Sequence, residues 1–229
     1  MELLKRCHEA SEHNKRRRAH SRMKRTYKLT FRVLCLALAV PAGALLLGAC
    51  AVDKMAVQSV SDMLSSGDAS VFTTEEDPQL VGDALPFALK LYEILLQMNP
   101  EDPALLMTTG QAFALYAYAY VQMPADMLPD EEIDRQLDDL ERAKKLYLRA
   151  RGYLLRALDI RHPGLRDALL GESWDGNLDF TTAEDVPYLY WTAMSWFGAL
   201  TTDFFDMELL LTSGRALDMI RRVLELDPG

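Results

Sequence analysis

The sequence offers little sulfur or imidazole chemistry. Three cysteines occur in 229 residues, and two of them, Cys7 and Cys35, precede Cys50. The chain after Cys50 can form no internal disulfide, so a fold there must rest on its apolar core. Histidine is equally scarce: His162 is the sole one after Cys50. One histidine and no cysteine in that part exclude the usual zinc clusters. No Gly-x-Ser-x-Gly elbow, no Gly-x-Gly-x-x-Gly and no phosphate-binding glycine loop is present. Neither a serine hydrolase nor a nucleotide fold is therefore signalled, and with no catalytic constellation in view the expectation is a binding protein, not an enzyme, with no cofactor.

Positive charge is missing too, but only from one part. Eleven Lys/Arg and three Asp/Glu precede Cys50, a net of +8; the remainder holds 14 basic and 31 acidic residues, a net of −17. An acidic body with no basic patch excludes nucleic acid as a partner on electrostatic grounds. It would also be repelled by anionic lipid headgroups. A long hydrophobic run is absent as well. The apolar stretch from Val33 to Leu47 has fifteen residues, about 22 Å of helix against the ~30 Å of a hydrocarbon core.

The features that are present begin with that stretch. Lys24, Arg25, Lys28 and Arg32 precede it, Pro41 and Gly43 interrupt it, and it ends in Leu47-Gly48-Ala49-Cys50. Basic, then short and apolar, then small residues is the pattern of a secretion signal. The ending resembles the lipobox of bacterial lipoproteins, which implies cleavage before Cys50 and acylation of its thiol. Two or three acyl chains anchor firmly where a single one would not. The expected division is residues 1–49 as signal peptide, 50–79 as lipidated lead-in and linker, and 80–229 as a helical domain. The basic region is long for a signal, and Met23-Lys-Arg-Thr-Tyr-Lys starts a segment of ordinary proportions, so translation is expected to start at Met23. The implied localisation is the cell envelope, as a periplasm-facing lipoprotein.

Beyond residue 55 the chain reads as helices, after a short one over Met55 to Leu64. Leu80 to Met98 carries Leu85, Ala88, Leu89, Tyr92, Leu95 and Leu96 near the i, i+3, i+4, i+7 pattern. Further helices are expected over Pro103 to Gln122, Asp138 to Ile160, Asp185 to about Phe205, and Met207 to Leu226, with Met123 to Ile133 and Gly164 to Glu184 as long insertions. Three helix ends repeat: Leu96-Gln-Met-Asn-Pro100, Leu158-Asp-Ile-Arg-His-Pro163 and Leu224-Glu-Leu-Asp-Pro228. Two starts repeat, Pro103-Ala-Leu-Leu-Met-Thr108 and Pro187-Tyr-Leu-Tyr-Trp-Thr192, with Phe113 and Phe197 at matching offsets. The repeated unit is a helix pair, resembling a tetratricopeptide repeat. The fold class is all-α, a helical-repeat array of antiparallel helix pairs.

Tyr188-Leu-Tyr-Trp-Thr-Ala-Met-Ser-Trp-Phe-Gly-Ala-Leu, Arg215-Ala-Leu-Asp-Met-Ile-Arg-Arg-Val-Leu-Glu-Leu-Asp-Pro228 and Asn99-Pro-Glu-Asp-Pro-Ala-Leu-Leu106 together resemble the T component (TatT) associated with tripartite ATP-independent periplasmic (TRAP) transporters. The resemblance implies a periplasmic lipoprotein with divergent tetratricopeptide helices. It implies a partner, a periplasmic solute-binding protein, and a homo-trimer whose subunits each have an opening that passes a ligand. Relative to that family the domain is expected to be cut short after Gly229, where a capping helix would ordinarily come next. The competing reading is a repeat scaffold in outer-membrane or envelope-complex assembly with no small ligand.

Candidate contact residues are aromatic. Tyr188, Tyr190, Trp191 and Trp196 cluster in one helix, where they either fill the core or line an apolar pocket. Trp191 and Trp196 lie five positions apart, about 140° around a helix, so they cannot share one face. Phe113 and Tyr116 stand in a run alternating with alanine, and packing or a groove are both open to them. Trp174 is a plausible anchor in a long insertion. Asp175, Asn177 and Asp179 alternate like calcium ligands, but Phe180 and Val186 occupy the positions where an EF-hand needs Gly and Glu; no metal site is expected. The acidic run of Glu131, Glu132, Asp134, Asp138, Asp139 and Glu141 reads as a solvated helix start, or as a docking patch for a basic partner.

Overall fold

The computed structural model describes residues 74–228. The signal, Cys50 and the short helix expected over Met55 to Leu64 lie outside the described residues. Among those described, the chain is all-helical with no strand. Its helices are α1 (Pro78–Met98), α2 (Pro103–Ala117), α3 (Ile133–Arg161), α4 (Leu165–Leu170), α5 (Val186–Thr202) and α6 (Met207–Leu226).

Aspartates start these helices. Asp77 accepts hydrogen bonds from the Gln79 and Leu80 amides at 3.0 and 3.1 Å. Asp102 accepts from Leu105 N at 3.0 Å, and Asp206 from Leu209 N at 3.0 Å. Each thereby satisfies amides that the first turn leaves without intrahelical partners. Pro78 and Pro103 come directly after their caps, where the missing N–H costs nothing. Before α5 the side chain of Asp185 turns back to accept from the Thr182 amide at 2.8 Å. Four of the carboxylates are therefore helix-start chemistry.

The helices pack mainly in chain order: α1 on α2, α2 on α3, α3 on α5 and α5 on α6, with α2 also meeting α5. The core at the α2–α3–α5 junction holds Leu105, Leu106, Phe113, Leu154, Leu158, Leu189 and Trp196, all essentially sealed from solvent. Gly110 sets the α2–α3 approach: a Cβ there would fall 2.5 Å from Leu154 Cγ and 3.0 Å from the Ala150 carbonyl.

Three features depart from the expected helices. The Pro103–Gln122 helix is α-helical only to Ala117; Tyr118–Gln122 is π-helical, with the Met123 amide bonding to the Tyr118 carbonyl, and Met123–Asp126 adds one last α-turn. The insertion from Gly164 to Glu184 contains α4, which Gly164 opens with a left-handed φ of 91°. α3 begins at Ile133, five residues before the expected Asp138, so most of the acidic run lies inside a helix.

Candidate functional site

A cavity of about 510 Å³ opens where the end of α2, its π-helical turn, α3 and α5 converge. That volume is in the ordinary range for small-molecule pockets. Tyr190, Trp191, Met194 and Phe197 line one side from α5; Ala114, Leu115 and Tyr118 line the other. Exposed Tyr118, Tyr190 and Met194 surround its mouth, and buried Gln122 and Tyr147 form its inner surface. None of the described residues lining it is charged.

Local structure explains why a cavity survives here. The π-helical turn adds a residue to the α2 line and brings Gln122, 9% exposed, against α3 and α5. Such turns widen the helix and recur at functional positions. The Tyr147 hydroxyl donates to Gln122 Oε1 at 2.7 Å, and Gln122 Nε2 donates to Thr201 Oγ1 at 3.3 Å. The Thr201 hydroxyl in turn donates to the Gly198 carbonyl at 2.9 Å. Gly198 lets the Tyr147 ring lie flat against α5, since a Cβ at that position would overlap the ring. Burial pushes the Tyr147 hydroxyl well above its ordinary range, so it stays protonated as a donor.

The sequence-selected aromatics separate into four environments. Tyr190 and Trp191 line the cavity and meet edge to face, their rings 5.3 Å apart. Trp196, 1% exposed, sits in the core; its indole donates to Thr212 Oγ1 at 3.1 Å and the Arg151 guanidinium lies 4.4 Å over its ring. Tyr188 is buried under Arg161. Phe113 is buried under Arg149. Tyr116 stacks on Tyr120 at 5.8 Å and its hydroxyl accepts from Arg142. Trp174 lines a second, more open hollow beside His162 and Phe180, and its indole donates to Asp218 on α6 at 3.0 Å. The Asp175 and Asn177 side-chain oxygens accept the backbone amides of Asn177 and Asp179, the local turn bonding typical of these residues. Sequence reasoning passed over Gln122 and Tyr147; the signal was a lone amide beside the apolar window Ala117–Val121.

A closed polar junction stands at the C-terminal end of α3. Asp185 accepts from Arg161 Nε at 2.6 Å as well as from Thr182, and His162 Nε2 lies 3.0 Å from it. Burial would raise the Asp185 carboxyl, yet the Thr182 amide and the Arg161 guanidinium outweigh it and hold the group below its ordinary value.

With this geometry in place, comparison with known proteins supplies the family. The model of the TRAP transporter T-component family matches residues 74–229. The chain belongs to that family. A relative from Treponema pallidum (strain Nichols), described as an uncharacterized protein, is 34% identical over 214 residues, which cover 86% of this chain and 65% of the relative. This T-component chain thus spans somewhat less than two thirds of that relative's length. Among its described residues no helix is long and apolar enough to cross a membrane.

Proposed function

We propose that the protein is a periplasm-facing lipoprotein and an accessory component of a TRAP-type transport system, holding an organic, largely apolar ligand in the α2–α3–α5 cavity. Residues 1–49 serve as the signal, Cys50 carries the lipid, and 80–229 form a tetratricopeptide-like array. Family membership supports the transport role. The sequential packing of α1, α2, α3, α5 and α6, with α2 also touching α5, supports the repeat reading. The observation that carries ligand binding is the uncharged aromatic cavity around Trp191.

The proposed partner is a periplasmic solute-binding protein. Its docking site is a groove between the start of α3 and the α5–α6 loop, lined by Leu137, Leu140, Phe204 and Phe205. Phe205 is 93% exposed. Lys144 holds that loop in place, with Nζ 2.8 Å from Asp203 and 2.6 Å from Asp206. Glu141 and Lys145 also line the groove and pair with each other at 2.7 Å, so its rim offers a partner charge of both signs around the apolar contact. Exposed aromatics surrounded by charge are typical of such contacts.

The test is co-purification and titration with the solute-binding protein of the same transporter, comparing the parent protein with Phe205→Ser. Recovery of the complex from the parent, weakened by the substitution, supports the reading. No association with that solute-binding protein at micromolar concentration sinks it. Lipidation is tested separately by labelling cells with radioactive palmitate: incorporation is expected in the parent and should vanish in Cys50→Ala.

A further inference from the structure

We infer that the cavity selects a neutral amphiphile: an apolar body along the aromatic walls, and one hydroxyl or carbonyl group seated on the Gln122–Tyr147 pair, with carboxylates refused. The inference rests on the reading of this cavity as a ligand site and adds the chemical class.

The argument starts from what a ligand would meet. Indole, phenol, thioether and phenyl groups make up the α5 wall, so an apolar chain gains by leaving water there. A fully apolar ligand, however, would leave an inner polar group covered and under-used. Gln122 offers two amide hydrogens and two carbonyl lone pairs. Among the described residues its side chain is engaged by Tyr147 and Thr201 alone, which leaves one donor and one acceptor position. The Tyr147 bond polarises the amide and fixes its orientation. A single hydroxyl satisfies both open positions, and a carbonyl satisfies the donor.

A carboxylate fares differently. Bringing an ion into such a site costs several kcal/mol of hydration unless a cation meets it, and among the described residues no lysine, arginine or histidine lines this cavity. Four cations of α3 face other groups: Lys144 meets Asp203 and Asp206, Arg149 meets Glu93, Arg142 the Tyr116 hydroxyl, and Arg151 the Trp196 ring. The net charge of −17 after Cys50 opposes an anion further. Tyr147 is no substitute, since a phenol carries no positive charge and its one proton is given to Gln122.

The experiment is displacement of N-phenyl-1-naphthylamine, a neutral fluorescent apolar probe, from the purified protein by 1-decanol and by decanoate at pH 8. Decanol is expected to displace it at a concentration lower by about a hundredfold than decanoate. Gln122→Leu should weaken decanol by about tenfold, measured relative to the variant's own probe affinity. Circular dichroism verifies the fold, and Gln122→Met replaces the variant should leucine disturb it. Decanoate equal to decanol, or decanol indifferent to both Gln122 substitutions, overturns this inference and leaves the ligand reading standing. Failure of probe, alcohol and acid alike to bind overturns the ligand reading itself, and this inference with it.

Discussion

Trp191 and Trp196 stand on the same helix, five residues apart, and live in different environments. Trp196 is closed in between α3 and α6, its indole nitrogen bonded to Thr212 and its ring face covered by Arg151. Trp191 is half-buried and borders open space. The difference arises from the neighbours, not from the residue type. Opposite Trp196 the helices are packed to density; opposite Trp191 the π-helical turn and Gly198 seat Gln122 and Tyr147 against α5 as the inner surface of the cavity. An aromatic cluster in sequence is thus one signal with two physical outcomes, and the backbone irregularity across from it decides which.

That contrast can be broken from the closed side first. Trp196→Ala is expected to lose about 3–5 kcal/mol of stability, as large core truncations do, read from urea denaturation. The open side should respond in the opposite sense. Trp191→Ala should cost about 1 kcal/mol or less but weaken N-phenyl-1-naphthylamine binding by about tenfold. Equal stability losses from the two tryptophans would remove the distinction between core and cavity.

The middle and the C-terminal end of α3 extend the comparison. At the polar junction Asp185 is 1% exposed and neutralises Arg161, which retains some access to water. Asp185→Asn should cost about 3 kcal/mol, the low end for breaking a buried pair, because Arg161 is not fully stranded. The sign of its pH dependence comes from its lowered native value. The junction contributes fully above the ordinary aspartate value and loses that contribution as pH falls through the lower native one. Thermal denaturation between pH 7 and pH 3 should therefore show a steeper acid decline in the parent than in Asp185→Asn. At the cavity, Gly198→Ala should cost about 1–3 kcal/mol by overpacking, and should reduce probe binding as Tyr147 is driven into the cavity.

What could be read in advance divides along the same line. Helix ends were legible because Asp-Pro and Asn-Pro punctuation has a local cause: the carboxylate binds first-turn amides and proline stops the preceding turn. Met207 and Leu226 are legible as helix limits from sequence for that reason. That Trp191 and Trp196 cannot share a face is a consequence of the helical step alone. The π-helical turn was not legible, because Tyr118-Ala-Tyr-Val-Gln carries no breaker and the small–large alternation of Ala114 to Tyr120 does not mark one. In the structure that alternation splits around the helix, with Tyr116 stacked on Tyr120 and Tyr118 turned to the cavity. α4 was hidden because six residues give too few turns for a period to show. Gln122 was missed because rank by aromatic content ignores a neutral amide, although an amide beside an apolar window needs partners and so marks an interior polar place.

The smallest expected effect on stability belongs to the loop that joins the two tryptophans' helix to α6. Phe205 is almost wholly exposed, yet its backbone is fixed: its amide donates to Asp203, whose carboxylate binds Lys144. A loop pinned from beneath presents its ring without the ordering cost that a free loop would add on binding. Phe205→Ser removes no buried contact and should change stability by no more than about 0.5 kcal/mol. If the groove between α3 and this loop receives the solute-binding protein, the same change should weaken the complex about tenfold or more, as loss of an aromatic anchor does. Lys144→Met separates anchor from support. It leaves Phe205 in place but frees the loop, so affinity should fall while the apolar surface is unchanged. Equal affinity for parent, Phe205→Ser and Lys144→Met would place the partner on another face and leave the exposed ring without a binding role.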